Sequence, residues 1–276
     1  MSIATQKGIS LAVALAAVLF LKPEDVLTLF IVLGQAHFFG SYIYQIAGGK
    51  LRSPYALLYP IVLSALLGYV FFVKDFDLLV AVTAIQFLVH FLQDEVRILA
   101  HKHSLFTTLS GLPIVIIYSG FIVDAIYGFA VLPYTLLTAG VVISLYIALS
   151  YRHKHTPSSA DLYFHIITGI LFLIAFMHFS IRVEELIGFL IIFHYINWYL
   201  YLFEKFRHTK SSLRTYIRRM VLVNVLVIGA FSLYRSGFAE PILQFLFLPA
   251  YFYVGTLLHT LFTVRFSDYR NSIKRP

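Results

Sequence analysis

The sequence predicts an all-α fold, a polytopic integral membrane bundle of about ten transmembrane helices. Three observations predict it. Of the 276 residues, 60% are hydrophobic and only 12% are charged, about half the charged share of an average soluble domain. Ten apolar runs approach or reach the roughly 20 residues needed to cross a bilayer. The basic residues between those runs sort by side. A soluble protein of this size has no interior large enough for so much apolar surface. The composition therefore excludes an ordinary soluble enzyme, a disordered chain and a disulfide scaffold. With no Cys in the chain, thiolate metal ligands and cysteine nucleophiles are excluded too.

Taken in order, the apolar runs lie near 8–21, 26–46, 54–73, 78–98, 105–123, 131–150, 162–180, 186–203, 219–235 and 242–264. The first is short. No small-x-small cleavage pattern follows Leu21, and Lys22-Pro23 comes next, so it reads as a retained segment. The boundary between Asp124 and Pro133 is soft. The longest polar connection, Glu204 to Arg219, leaves no room for a soluble domain between runs. The chain is thus expected to be a single transmembrane helical domain over 1–276, without internal repeats.

Alternating the runs across a bilayer puts 17 of the 21 Lys and Arg on the side of the N-terminus. Only Lys22, Lys74, Arg182 and Arg235 fall on the other side, with the acids Glu24, Asp25, Asp75, Asp77, Asp124, Glu184, Glu185 and Glu240. The positive-inside rule then places both termini in the cytoplasm, and the expected location is the cell membrane of a prokaryote. This sorting accounts for the net charge of +8. The expected partners are the lipid bilayer and an apolar substrate dissolved in it, with no nucleic acid.

Eleven His are present. His101, His103, His153, His155 and His208 fall in loops or at their edges, where the pairs 101/103 and 153/155 read as solvated. Six others, His37, His90, His165, His178, His194 and His259, fall inside apolar runs. Ionisable residues at such positions are costly and face a bundle interior or a polar cavity. At about 1.5 Å per residue, counted from the cytoplasmic end of each run, His37, His90 and His194 lie roughly 12–13 Å deep and His259 roughly 8 Å. Four His on four helices share one depth band.

Residues three, four and seven apart share a helix face. The face around His90 reads Thr83, Gln86, His90, Gln93, Asp94 and Arg97, a polar stripe on an apolar helix. Around His37 it holds Gly34, Gly40, Ser41 and Tyr44, small enough in part for close helix packing. Around His194 it holds Asn197, Trp198 and Tyr201, and around His259 it holds Gly255, Thr256 and Thr263. Several neutral imidazoles without thiols suit a first-row metal such as iron. Asp94, Glu95, Gln35, Gln86 and Asn197 are available as further or outer partners. Interhelical hydrogen bonding by each His is the plain alternative.

Two stretches resemble a known family. Gly34-Gln35-Ala36-His37-Phe38 is similar to the glycine-x-x-histidine element of the Brp/Blh-like membrane β-carotene dioxygenases. Val89-His90-Phe91-Leu92-Gln93-Asp94-Glu95 is similar to their histidine-phenylalanine-glycine-x-x-aspartate element. Ala36 and Phe38 stand where the family has Pro and Gly, and Leu92 stands in place of Gly. The resemblance implies a helical membrane protein with a histidine-held non-haem iron that cleaves β-carotene to retinal.

The leading expectation is a membrane non-haem Fe(II) oxygenase acting on an apolar lipid or isoprenoid. His37, His90 and His194 are the expected ligands, with His259 as a fourth. Asp94, four residues from His90 on the same face, would orient it or balance charge. Gln86, Asn197 and Tyr44 would stand behind the ligands. Three alternatives stay open. One is a transporter or channel-like protein with a His/Asp polar pathway, in which Pro113, Pro133 and Pro249 break helices. Another is a di-iron lipid hydroxylase or desaturase, although HxxxH and HxxHH clusters are missing. The last is a non-catalytic membrane subunit.

Overall fold

A computed structural model of the chain describes residues 3–47, 58–73, 75–100, 105–176, 182–207, 210–238 and 240–263. Among these residues every regular element is helical. They are α1 (Ile3–Phe20), α2 (Pro23–Ala47), α3 (Leu58–Gly68) running into a π-helical turn (Tyr69–Val73), α4 (Phe76–Ala100) and α5 (Leu105–Tyr127). Then follow α6 (Leu132–Arg152), α7 (Ser159–Phe176), α8 (Val183–Phe206), α9 (Lys210–Arg235), α10 (Glu240–Phe247) and α11 (Pro249–Thr263). The protein is all-α and an integral multi-pass membrane protein.

Seven of the described helices are long and apolar enough to span a bilayer, or eight if α10 and α11 count as one bent span. Among the described residues, the other expected runs appear as shorter or bent elements. The apolar part of α1, Thr5–Phe20, is shorter than the others. Of the third run, the described residues form the α-helix Leu58–Gly68 followed directly by the π-turn, and 54–57 lie outside the described residues. The last run bends by 50° between α10 and α11, because Pro249 has no N–H to continue the ladder. Of the other prolines, Pro113 sits inside an unbroken α5 and Pro133 in the first turn of α6.

Helix ends follow capping chemistry. Pro23 opens α2, with Glu24 and Asp25 in its first turn, where acids suit the positive end of the helix dipole. Asp75 caps α4 by accepting the Leu78 N–H at 2.9 Å. Gly128 takes φ of +65° just beyond α5, a conformation nearly free of strain only for glycine. The chain turns there, and Asp124 accepts the Val131 and Leu132 N–H groups at 2.8 and 3.2 Å at the start of α6.

The described residues fall into two compact units. The first draws on Met1–Leu79 and Glu184–His259. In it α2 packs against α1, α9 and α10, and small residues set close approaches. A Cβ on Gly34 would lie 2.5 Å from the Phe252 ring and 2.7 Å from the Tyr195 hydroxyl, and one on Gly40 would lie 3.2 Å from Met220. Gly188 of α8 faces Val26 and Phe30 in the same way. Gln35 donates to the Leu246 carbonyl at 2.6 Å, next to the α10–α11 bend.

The second unit draws on Val80–Val183 and the residues from Thr260 onward. Here α5 packs on α6 and α7, with Gly120 against Thr135 and Gly111 against Leu92 of α4. Only Ala139 and Tyr146 of α6 are buried, as expected of a helix surrounded mostly by lipid.

Candidate functional site

In the first unit, α2, α8 and α11 bring three buried imidazoles together. His37, His194 and His259 are all at most 2% exposed. The Nε2 atoms of His37 and His259 lie 3.2 Å apart. The His37 ring centroid is 4.9 Å from that of His259 and 5.4 Å from that of His194. Aromatic rings enclose the group. Tyr195 stacks on His37 at 4.7 Å, Trp198 meets it edge-on at 4.5 Å, and Phe38 lies 4.8 Å from His259. Gly34 and Gly40, one turn before and just after His37, let Tyr195, Phe252 and Trp198 reach this level.

Asn197, one turn past His194, is buried as well. Gln6 of α1 donates from Nε2 to both the carbonyl and Oδ1 of Asn197, each at 2.9 Å. Ser10 in turn donates to the Gln6 carbonyl at 3.0 Å. Lys7 is 8% exposed, with Nζ 5.6 Å above the Phe193 ring. Sequence reasoning counted Lys7 as a flanking cation and did not single out Gln6. The available signal was the Gln6, Lys7 and Ser10 cluster on one side of an apolar run, which gives α1 a polar face. Gln6→Leu should cost about 1–3 kcal/mol, because the buried Asn197 amide loses its donor. Thermal unfolding of the detergent-solubilised variant measures this, and an unchanged midpoint would show the bridge to be dispensable.

In the second unit, α4 carries the polar stripe away from the exposed surface. Thr83 and His90 are buried, Gln86, Gln93 and Asp94 are half-buried, and Val82 and Val89 take the exposed side. His90 Nε2 and Asp94 Oδ2 lie 3.4 Å apart, as the i,i+4 spacing allows. Glu95 is fully buried. The side chains of Arg97 and Tyr44, and His101, His103, His178 and His208, lie outside the described residues. The structure thus groups His37, His194, His259 and Asn197 in one unit. It pairs His90 with Asp94, on the same helix as Gln86, in the other.

A second polar knot in this unit was not anticipated. Asp161 is fully buried at the start of α7. It accepts the Ser158 N–H and hydroxyl, each at 2.8 Å, and the Ser110 hydroxyl at 3.0 Å. His155 Nε2 lies 3.2 Å from Oδ2, and the Asp161 N–H returns a bond to the Ser158 hydroxyl at 3.2 Å. Ser158 and Asp161 thus form a reciprocal capping box. Its sequence signal is Ser-x-x-Asp before an apolar run. His155 also stacks on Phe106 at 4.0 Å, so it is a structural residue, whereas His153 is exposed. His165 meets the Tyr146 ring edge at 4.6 Å.

Comparison of the chain with protein-family models, with curated proteins and with solved structures finds no match.

Proposed function

We propose that the protein is a membrane oxygenase that holds a first-row metal, iron, on buried imidazoles of its first unit, with His37 and His259 as the central pair and His194 beside them. The observation that carries this reading is the 3.2 Å Nε2–Nε2 separation. Two imidazole nitrogens about 2.0–2.1 Å from one ion, at angles between octahedral and tetrahedral, stand about 2.8–3.4 Å apart. The donor set is neutral nitrogen without sulfur, which suits iron among other first-row metals. Bound iron would supply dioxygen chemistry. The chain's own residues would hold the ion, and Phe38, Tyr195 and Trp198 would keep water from it. Asn197, clamped by Gln6, would fix the turn of α8 that carries His194.

The proposed substrate is an apolar lipid or isoprenoid entering from the bilayer. The resemblance to the Brp/Blh-like proteins makes β-carotene the first candidate, with one carotene and one dioxygen giving two retinals. The test is metal analysis of the purified protein, followed by expression in carotene-producing cells. About one iron per chain and retinal formation would support the proposal. A folded, metal-free wild type would overturn the metal site. Bound iron with unchanged pigment would remove carotene and leave other apolar substrates.

A transporter reading has one observation of its own, the 50° break between α10 and α11, since transporters place their sites at interrupted helices. Proton flux into proteoliposomes containing a pH-sensitive dye would favour it. For orientation, we propose that both termini face the cytoplasm of a prokaryotic cell, on the 17-to-4 sorting of basic residues. With no native Cys, single-cysteine labelling is clean. Lys205→Cys should react only from the cytoplasmic side and Arg182→Cys only from outside; the reverse pattern would invert the topology.

A further inference from the structure

The two long faces of α9 differ in character. Tyr216, Met220, Val223 and Val227 are buried, and their spacing marks one stripe. The opposite stripe is exposed and changes along its length. It begins with Arg214 and Arg218 and continues as Val221, Leu222 and Val225, each apolar residue more than half exposed. From Arg218 to Arg235 the helix rises about 26 Å, close to the roughly 30 Å hydrocarbon thickness of a bilayer. With Arg235 at one interface, this length would bring Arg214 and Arg218 to the lipid phosphates of the other, with the apolar stripe beside the acyl chains.

The charge at this end is unbalanced. The stretch from Glu204 to Arg219 has one acid and six Lys or Arg. That acid, Glu204, is already paired with Arg207 at 2.8 Å. Arg214 and Arg218 have no carboxylate partner among the described residues. As like charges four apart on one face they repel, and near the first turns of a helix they gain nothing from its dipole. An anion between them would remove both penalties. The planar guanidinium fork matches phosphate oxygens in pairs, and long arginine stems lie along apolar surface while their heads reach the interface.

We propose that the outward face of α9 holds an anionic phospholipid, its phosphate on Arg214 and Arg218 and its acyl chains along Val221, Leu222 and Val225. The proposal is independent of the metal site. It makes α9 a lipid-selective edge of the protein rather than a face indifferent to headgroup.

The test uses the full chain reconstituted in phosphatidylcholine with trace spin-labelled phosphatidylglycerol or spin-labelled phosphatidylcholine. Electron paramagnetic resonance reads the lipid immobilised at the protein surface. Wild type should prefer phosphatidylglycerol several-fold, and Arg214→Gln with Arg218→Gln should remove most of that preference, about fivefold per arginine at most. Should the double variant fold poorly, Arg214→Gln alone should lose part of it. A control with equal charge loss elsewhere, Arg152→Gln with Arg182→Gln, should keep it. A preference that survives the α9 double variant overturns the proposal. So does a preference lost equally in the control, or inorganic phosphate that abolishes the preference at low millimolar concentration.

Discussion

His37→Ala is expected to reduce bound metal to less than a tenth of the wild-type content, measured per chain by elemental analysis after size-exclusion chromatography. His37 is the centre of the imidazole group, with Nε2 3.2 Å from that of His259 and its ring flanked by His194, Tyr195 and Trp198. Even residues that only support a metal ligand commonly change affinity 10- to 100-fold, so loss of a ligand should be at least as severe. The variant also leaves a cavity, so stability must be read separately. Here the metal makes a second prediction. A ligand that binds only the folded state adds about 2.7 kcal/mol when present at a hundred times its Kd. Wild type should therefore lose thermal stability on chelation, while His37→Ala, and the gentler His37→Gln, should not respond. If instead the imidazoles serve only to hydrogen-bond across helices, both variants lower the unfolding midpoint, but wild type is indifferent to the chelator. That pattern would rule the metal out.

The parts of this site that were readable in advance share a physical cause. In a chain where only 12% of residues are charged, a polar side chain in an apolar run has few places to go, so His37, His194 and His259 point inward. The glycines at 34 and 40 mark the same face of α2, because close helix contact leaves no room for a Cβ there. Pro249 marks the bend at α11 by local chemistry alone. Other features were hidden because they depend on distant partners. Gln6 and Asn197 are 191 residues apart, and nothing in either neighbourhood names the other. Lys7 has the spacing of a flanking cation and is nevertheless buried. Composition also does not distinguish a straight span from a bent one, as the 50° break between α10 and α11 shows. His155 shows the converse failure. Its loop position beside His153 suggested solvent, yet a stacking ring and a carboxylate fix it.

Asp161→Ala should cost about 2–4 kcal/mol, from the lost helix cap together with the lost charge-assisted hydrogen bonds. The carboxylate joins α5, the 153–158 connection and the first turn of α7 through Ser110, His155 and Ser158. Alanine removes the capping box, worth about 1 kcal/mol, and leaves the Ser110 hydroxyl and the His155 ring facing an apolar gap. Asp161→Asn keeps the shape but provides a single acceptor oxygen, so a smaller loss is expected. The Ser110 hydroxyl is shared between Asp161 and the Thr107 carbonyl at 2.9 Å, so Ser110→Ala should cost about 1–2 kcal/mol. The order Ala, then Asn, then Ser110→Ala is read from unfolding midpoints in one detergent. If Asp161→Asn matched wild type, the charge would contribute nothing and the knot would be only a hydrogen-bonded cap. None of the partners of Asp161 in this knot is a candidate metal ligand, so metal per folded molecule should stay at the wild-type level in all three variants. Loss of metal in Asp161→Asn without loss of fold would instead tie this carboxylate to the metal site, a role that its capping geometry does not require.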